Sequence, residues 1–244
     1  MTVSAPHSHA TGPFCAYLSY TTFHLAMFNI HAHIIDSVPC LYSTGTNDIV
    51  ASSIPEHVAL SIGIHPWDVT DSWEDTFENR VVPVASTGKV WAIGECGLDK
   101  LHGPSLDVQM NVMKAHIALA EEVSKPIIVH CVKAFDQLLA LRKETEQACK
   151  RDGHEPQPWI VHGFRGKPEQ AKQIMAKGLY LSLGHQYNAE TLRFLFNHAC
   201  PFFLETDDLH LSVCHIYEQA ARRLGVDVSR LEDLCDPFQT IFHH

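Results

Sequence analysis

The sequence has no run near the roughly 20 consecutive apolar residues that a helix needs to cross a bilayer, which excludes a helical membrane protein. It has no C-x-x-C pair either. Its eight cysteines, Cys15, Cys40, Cys96, Cys131, Cys149, Cys200, Cys214 and Cys235, are scattered. That spacing excludes a zinc ribbon or a disulfide framework and reads as reduced cytosolic thiols, mostly in the core. Basic residues are scarce: 18 Lys and Arg against 28 Asp and Glu leave a formal net charge of −10. Such a chain does not coat duplex nucleic acid by bulk electrostatics, so any contact of that kind is local. No linker rich in Pro, Gly or Ser divides it. Against these absences stand 45% hydrophobic residues and a length of 244. That suffices for one core without staples and comes close to the about 250 residues of a closed α/β barrel. The outlier on the positive side is 18 histidines, imidazole being the commonest metal ligand.

Residues 1–26 carry Pro6, Gly12, Pro13 and several Ser and Thr with no sustained period, and read as a mobile N-terminal extension. Their apolar part, 14–25, is not expected to be a signal-peptide core, because no Lys or Arg precedes it and Ser, Thr and His interrupt it. The compact domain is expected over 27–244. There, short apolar runs at 28–34, 40–43, 58–64, 90–96, 127–131, 159–164, 179–183 and 202–206 alternate with segments of helical period at 71–85, 105–123, 135–149, 168–177, 189–198 and 211–224. The alternation predicts an α/β fold, a TIM-type (β/α)8 barrel. Little room separates the second run from the third, and Ile54-Pro55 interrupts it, so the first crossover helix is expected to be abbreviated.

In such a barrel the chemistry sits at the carboxyl ends of the strands. His31 and His33 stand two apart at the end of the first strand, and a period of two turns both inward together with Asn29. The other strand ends supply His65, Glu95, His130, His162 and Asp207. A buried carboxylate beside several imidazoles is costly unless a cation or a proton offsets its charge. Four histidines and two carboxylates exceed what one tetrahedral zinc with an open position takes, and they suit two divalent ions sharing a bridging carboxylate. Nitrogen and oxygen donors without cysteine suit Zn or Mn, and Mg where carboxylates and water dominate.

Six motifs run in order from residue 27 to the C-terminus: Asn29-Ile30-His31-Ala32-His33, Gly63-Ile64-His65-Pro66, Ile93-Gly94-Glu95-Cys96-Gly97-Leu98-Asp99, Pro126-Ile127-Ile128-Val129-His130, His162-Gly163-Phe164-Arg165-Gly166 and Glu205-Thr206-Asp207. Together they resemble the TatD-type metal-dependent deoxyribonucleases. The resemblance implies a TIM barrel of the amidohydrolase kind, two divalent metals and hydrolysis of phosphodiester bonds in DNA. By motif, His31, His33, Glu95, His130, His162 and Asp207 match the family's metal ligands, with Glu95 as the bridge. The chain departs from the family pattern at Asn29, where Asp is usual and where a negative charge behind the ligands is lost. It has Lys133 rather than Arg after His130, Lys100-Leu101-His102 in place of an aromatic pair, and Asp208 where Pro is frequent. These changes bear on the substrate more than on the reaction class.

The expected function is therefore phosphodiester hydrolysis by a water activated between two metals, with DNA, at single-stranded ends, as the substrate. Asp207 would orient that water and take its proton, with Glu95 beside it. His65 reads as a hydrogen-bonding contact to substrate rather than a ligand, and Lys133, Arg165 and Lys167 as phosphate contacts on the mouth loops. Glu205 reads as an interior partner of a Lys or of backbone. His116, His185, His198, His210 and His215 default to surface or capping roles. Two other readings stay open: an amide or ester hydrolase of the wider amidohydrolase type, and a metal-binding scaffold without activity. No membrane and no obligatory protein partner is expected, and the compartment is cytoplasmic.

Overall fold

A computed structural model describes residues 27–46, 54–236 and 241–242; the extension read at 1–26 lies outside the described residues. Eight parallel strands follow one another around the sheet in chain order: β1 (Asn29–Ala32), β2 (Cys40–Ser43), β3 (Val58–Ile62), β4 (Val90–Asp99), β5 (Ile127–Val132), β6 (Trp159–Val161), β7 (Leu179–Leu183) and β8 (Phe203–Leu204). The ring closes where Ala32 pairs with Asp207. There His33 N donates to Asp207 O (2.8 Å) and Asp207 N donates to His31 O (3.1 Å). This is the expected (β/α)8 barrel.

The apolar runs are nearly continuous because both faces of each strand are buried. One side chain from every strand, Ile30, Leu41, Ala59, Ala92, Ile128, Ile160, Tyr180 and Phe203, packs in the barrel interior. The alternate residues, among them Leu60, Ile62, Val90, Val129, Val161 and Leu181, pack against the helices. Two residues further along the interior face, the apolar layer gives way to a polar one: Ser61 follows Ala59, His130 follows Ile128, His162 follows Ile160 and Glu205 follows Phe203. The period of two thus stacks a functional layer directly on a hydrophobic floor.

The first helices are weaker than the rest. β1 joins β2 through residues 33–39 without a helix, and none occurs among the described residues between β2 and β3. Residues 71–85 do not form one α-helix. They divide into α1 (Trp73–Thr76), a π-helical stretch Phe77–Val81 and α2 (Val82–Ala85). Pro83 supplies the reason: it has no N–H for the carbonyl one turn back, and its ring needs the wider turn. The later helices are regular: α3 (Leu106–Val123), α4 (Phe135–Asp152), α5 (Pro168–Met175), α6 (Ala189–Asn197) and α7 (Val213–Leu224), followed by a short α8 (Val228–Leu234) that the apolar period did not announce. Among the described residues no helix is long and apolar enough to cross a membrane.

Candidate metal centre

β1 and β4 are the strands whose alternation is broken. Register shifts fall between Asn29 and Ala32 and between Ile93 and Cys96, the segments that carry His31 and Glu95. A bulge re-aims a side chain, and here it brings both into the polar layer. The strands must also approach closely: Gly94 has φ +122°, and a Cβ there would collide with the Ile128 carbonyl oxygen. A Cβ on Gly63 would stand 2.7 Å from Gly94 Cα.

Five imidazoles converge on Glu95, which is only 4% exposed. His31 Nε2 (3.1 Å) and His33 Nε2 (3.2 Å) face its Oε2. His65 Nε2 (3.2 Å), His130 Nδ1 (3.0 Å) and His162 Nε2 (2.7 Å) face its Oε1. Asp207 Oδ1 lies 3.7 Å from both His31 Nε2 and His33 Nε2. Burial opposes the Glu95 charge, yet the His162 and His31 rings and hydrogen bonds from His130 and His162 hold its carboxyl well below the usual range. Burial likewise opposes a charge on His162, yet Glu95 and a hydrogen bond to Glu205 hold it well above the usual imidazole range.

Hydrogen bonds alone do not satisfy this cluster. A carboxylate oxygen offers two lone pairs, and Glu95 Oε1 faces three nitrogens. Both ring nitrogens of His31 are buried and make no hydrogen bond. His130 Nδ1 also stands 3.2 Å from His65 Nε2 and 3.3 Å from His162 Nε2. Imidazole nitrogens crowded in this way around a buried carboxylate could serve as donors to a cation. The residues fall into overlapping groups suited to that: His31 with His33 and Asp207, His31 with Glu95 and His162, and His65 with Glu95 and His130.

A ring of supporting groups orients these donors. Glu205, fully buried, accepts from Gly163 N (2.6 Å) and lies 3.5 Å from His162 Nδ1. Its partners are therefore backbone and a histidine, with no Lys involved. Asp99 Oδ2 lies 3.2 Å from His130 Nε2 and accepts from Trp67 Nε1 (2.7 Å). Each carboxylate leaves the opposite ring nitrogen turned to Glu95, as metal-bound histidines require. Trp67 N donates to His65 Nδ1 (3.1 Å), so neutral His65 carries its proton on Nε2 and acts there as a donor. Gln109 on α3 donates from Nε2 to the carbonyls of Asp99, His102 and Pro104 and accepts from Asp99 N, clamping the loop after β4.

His33, Glu95, His65, His130, His162 and Asp207 line one cleft of about 420 Å³, with Trp67 and Asp208 on its wall. His31 lies buried at its base. Lys133, Arg165 and Lys167 are exposed and are not among the lining residues. Asn29 does not turn to the histidines: its amide donates to Thr206 Oγ1 (2.8 Å) and accepts from Thr206 N (3.1 Å), clasping β1 to the chain beyond β8. His116 is neither surface nor cap. Fully buried on α3, it donates from Nδ1 to Val112 O (2.8 Å) and accepts at Nε2 from Ile64 N (3.0 Å), the residue before His65. Sequence reasoning passed over Trp67, Gln109 and the orienting role of Asp99, although Asp99 stood inside a quoted motif.

The barrel superposes on a TatD homologue from Escherichia coli with a TM-score of 0.68 at 16% identity, over 88% of this chain and 98% of that one, which speaks for the fold alone. In sequence the chain is 30% identical over 142 residues to a 3′-5′ ssDNA/RNA exonuclease TatD of Yersinia pseudotuberculosis, a match covering 55% of this chain and 49% of that protein. It is 35% identical over 130 residues to an uncharacterized metal-dependent hydrolase, YabD, of Bacillus subtilis, covering 53% and 48%. The chain thus spans about half the length of these curated relatives. The family model described as TatD related DNase matches residues 29–212, the span that holds every proposed ligand, and the chain belongs to that family.

Proposed function

We propose that this chain is a deoxyribonuclease that hydrolyses phosphodiester bonds at single-stranded DNA ends, with two divalent cations (Zn, Mn or Mg) held by His31, His33, Glu95, His130, His162 and Asp207. The observation that carries the reading is the convergence of five imidazoles on one buried carboxylate, with both ring nitrogens of His31 buried and without a hydrogen bond. The Yersinia relative is named a 3′-5′ ssDNA/RNA exonuclease, which supports single-stranded ends as the substrate. Cations bound there would supply Lewis acidity, lowering the pKa of a water toward about 7 and offsetting charge on phosphate oxygens.

The chain's own groups have separable tasks. Glu95 faces both halves of the histidine set with its two oxygens, which supports a bridging role. Asp207, 34% exposed at its side chain, opens to the cleft and is the base: it orients the attacking water and takes its proton as the new P–O bond forms and the leaving P–O bond breaks. His65 Nε2–H donates to a phosphate oxygen. Glu205 and Asp99 hold the His162 and His130 rings. Lys133 and Arg165 draw phosphates in from outside the cleft. All seven described cysteines are free thiols, which supports the cytoplasm as the compartment.

The test is metal analysis of purified protein followed by a substrate screen with Zn, Mn and Mg, using single-stranded and duplex DNA, RNA, a simple phosphodiester, and ester and amide substrates. Two ions per chain and preferred cleavage of single-stranded DNA are expected. Ester or amide turnover without nuclease activity would replace this reading with the wider amidohydrolase one, and two ions without turnover of any substrate would leave a scaffold.

A further inference from the structure

We propose that Trp67 is a stacking platform for a nucleobase at the end of the substrate, an inference that rests on the nuclease reading above. Trp67 lies two residues beyond His65 on the cleft wall and is 55% exposed, a level that only Leu101 matches among the large apolar side chains described. It is nevertheless held firmly. Its Nε1–H donates to Asp99 Oδ2 (2.7 Å), on a carboxylate that is 2% exposed, and its backbone N–H donates to His65 Nδ1 (3.1 Å). The ring packs edge-on against His65 (centroids 5.1 Å, 85°) and tilted against His102 (4.8 Å, 46°). An indole fixed in this way has lost its rotamer freedom before a ligand arrives, so a flat ring that settles on it meets little further ordering cost.

The position adds chemistry to the exposure. Asp99 Oδ2, which holds the indole, also lies 3.2 Å from His130 Nε2, so one oxygen sets the aromatic surface relative to the histidine cluster. A ligand with a phosphate at the cluster and a planar base one sugar away fits this pair of surfaces. A sugar phosphate without a base leaves the indole uncovered. Every base has a π face, so the contact holds a strand end with little regard to sequence, which suits a chain whose scarce basic residues stand outside the cleft.

The experiment compares wild-type protein with Trp67→Ala and Trp67→Phe on intact single-stranded oligonucleotides and on the same strands lacking the base of the terminal or penultimate nucleotide. Wild type should prefer the intact strand by about tenfold or more in kcat/KM. Trp67→Ala should lose about ten- to hundredfold on the intact strand and cease to distinguish the two. Trp67→Phe, which keeps a flat ring without the N–H donor, should keep the preference. A second readout needs no turnover: a phosphorothioate-ended strand should quench tryptophan fluorescence in wild type, its abasic counterpart less, and Trp67→Phe should remove the difference. Cleavage at equal rates on intact and abasic strands overturns the stacking role while the nuclease reading stands. No cleavage together with Trp67-dependent quenching overturns the nuclease reading and keeps the platform, and no quenching at all overturns the platform.

Discussion

Glu205 stands behind His162: its Oε1 lies 3.5 Å from His162 Nδ1, while Nε2 of the same ring lies 2.7 Å from Glu95. A carboxylate in that position fixes a proton on Nδ1 and leaves Nε2 turned to the cluster, where it would be available to a cation. It is fully buried, and its second oxygen has no hydrogen-bond partner, so the charge is kept where desolvation works against it. That cost is offset only if the charge does something for the ring in front of it.

Glu205→Gln keeps the shape and the acceptor for Gly163 N but removes the charge behind His162. The expected result is a loss of about 10- to 100-fold in metal affinity, read by competition with a chelator, with the fold intact by circular dichroism. Unchanged affinity would end the orienting role.

Glu95→Ala removes the group that faces both halves of the histidine set. Metal content by mass spectrometry should fall below two ions per chain, and nuclease activity should fall with it. Two ions retained at normal occupancy would exclude Glu95 as the bridge.

His116 makes stability depend on pH. Burial pushes its pKa down to about 4, against 6.5 for the exposed ring, with the Val112 hydrogen bond opposing only in part. The folded chain therefore binds this proton less readily than the unfolded one. The contribution is complete above pH 6.5 and is lost as pH falls toward 4, a change of about 3 kcal/mol. Urea unfolding at several pH values should show the stability gap between wild type and His116→Gln narrowing by that amount over the interval. Parallel profiles would refute the assignment.

Lys133 and Arg165 stand outside the cleft, so their effect on binding should be electrostatic and modest. The slope of log affinity against log salt for single-stranded DNA should lie at roughly −1.4 for two neutralised phosphates, or roughly −2.1 for three if Lys167 adds a contact. Replacing either residue with Ala should reduce its magnitude by about 0.7. A much steeper slope would mean a phosphate track elsewhere on the surface.

The strand order and the residue types of the candidate site were legible in the chain itself. Runs such as 127–131 and 159–164 are local properties, and a residue at their carboxyl ends falls in the functional layer whatever the rest of the molecule does, which is why His130 and His162 were found by position. Asn29 shows the limit of that logic. A period of two sends it inward with His31, but the register shift in β1 turns its amide to Thr206 instead.

Length, composition and periodicity by themselves determined a barrel of eight parallel strands, and the motifs picked out histidines and carboxylates that meet. Only the tertiary structure decided what stands behind and beside them. Trp67 meets Asp99 across 32 residues, Gly163 meets Glu205 across 42 and Ile64 meets His116 across 52. The physical reason is that such pairings depend on inter-strand register, on bulges and on how far a helix sits from its sheet. None of these is a property of a local stretch of chain, so a tryptophan two residues past a strand-end histidine reads the same whether it is core, solvent-exposed or the wall of a site.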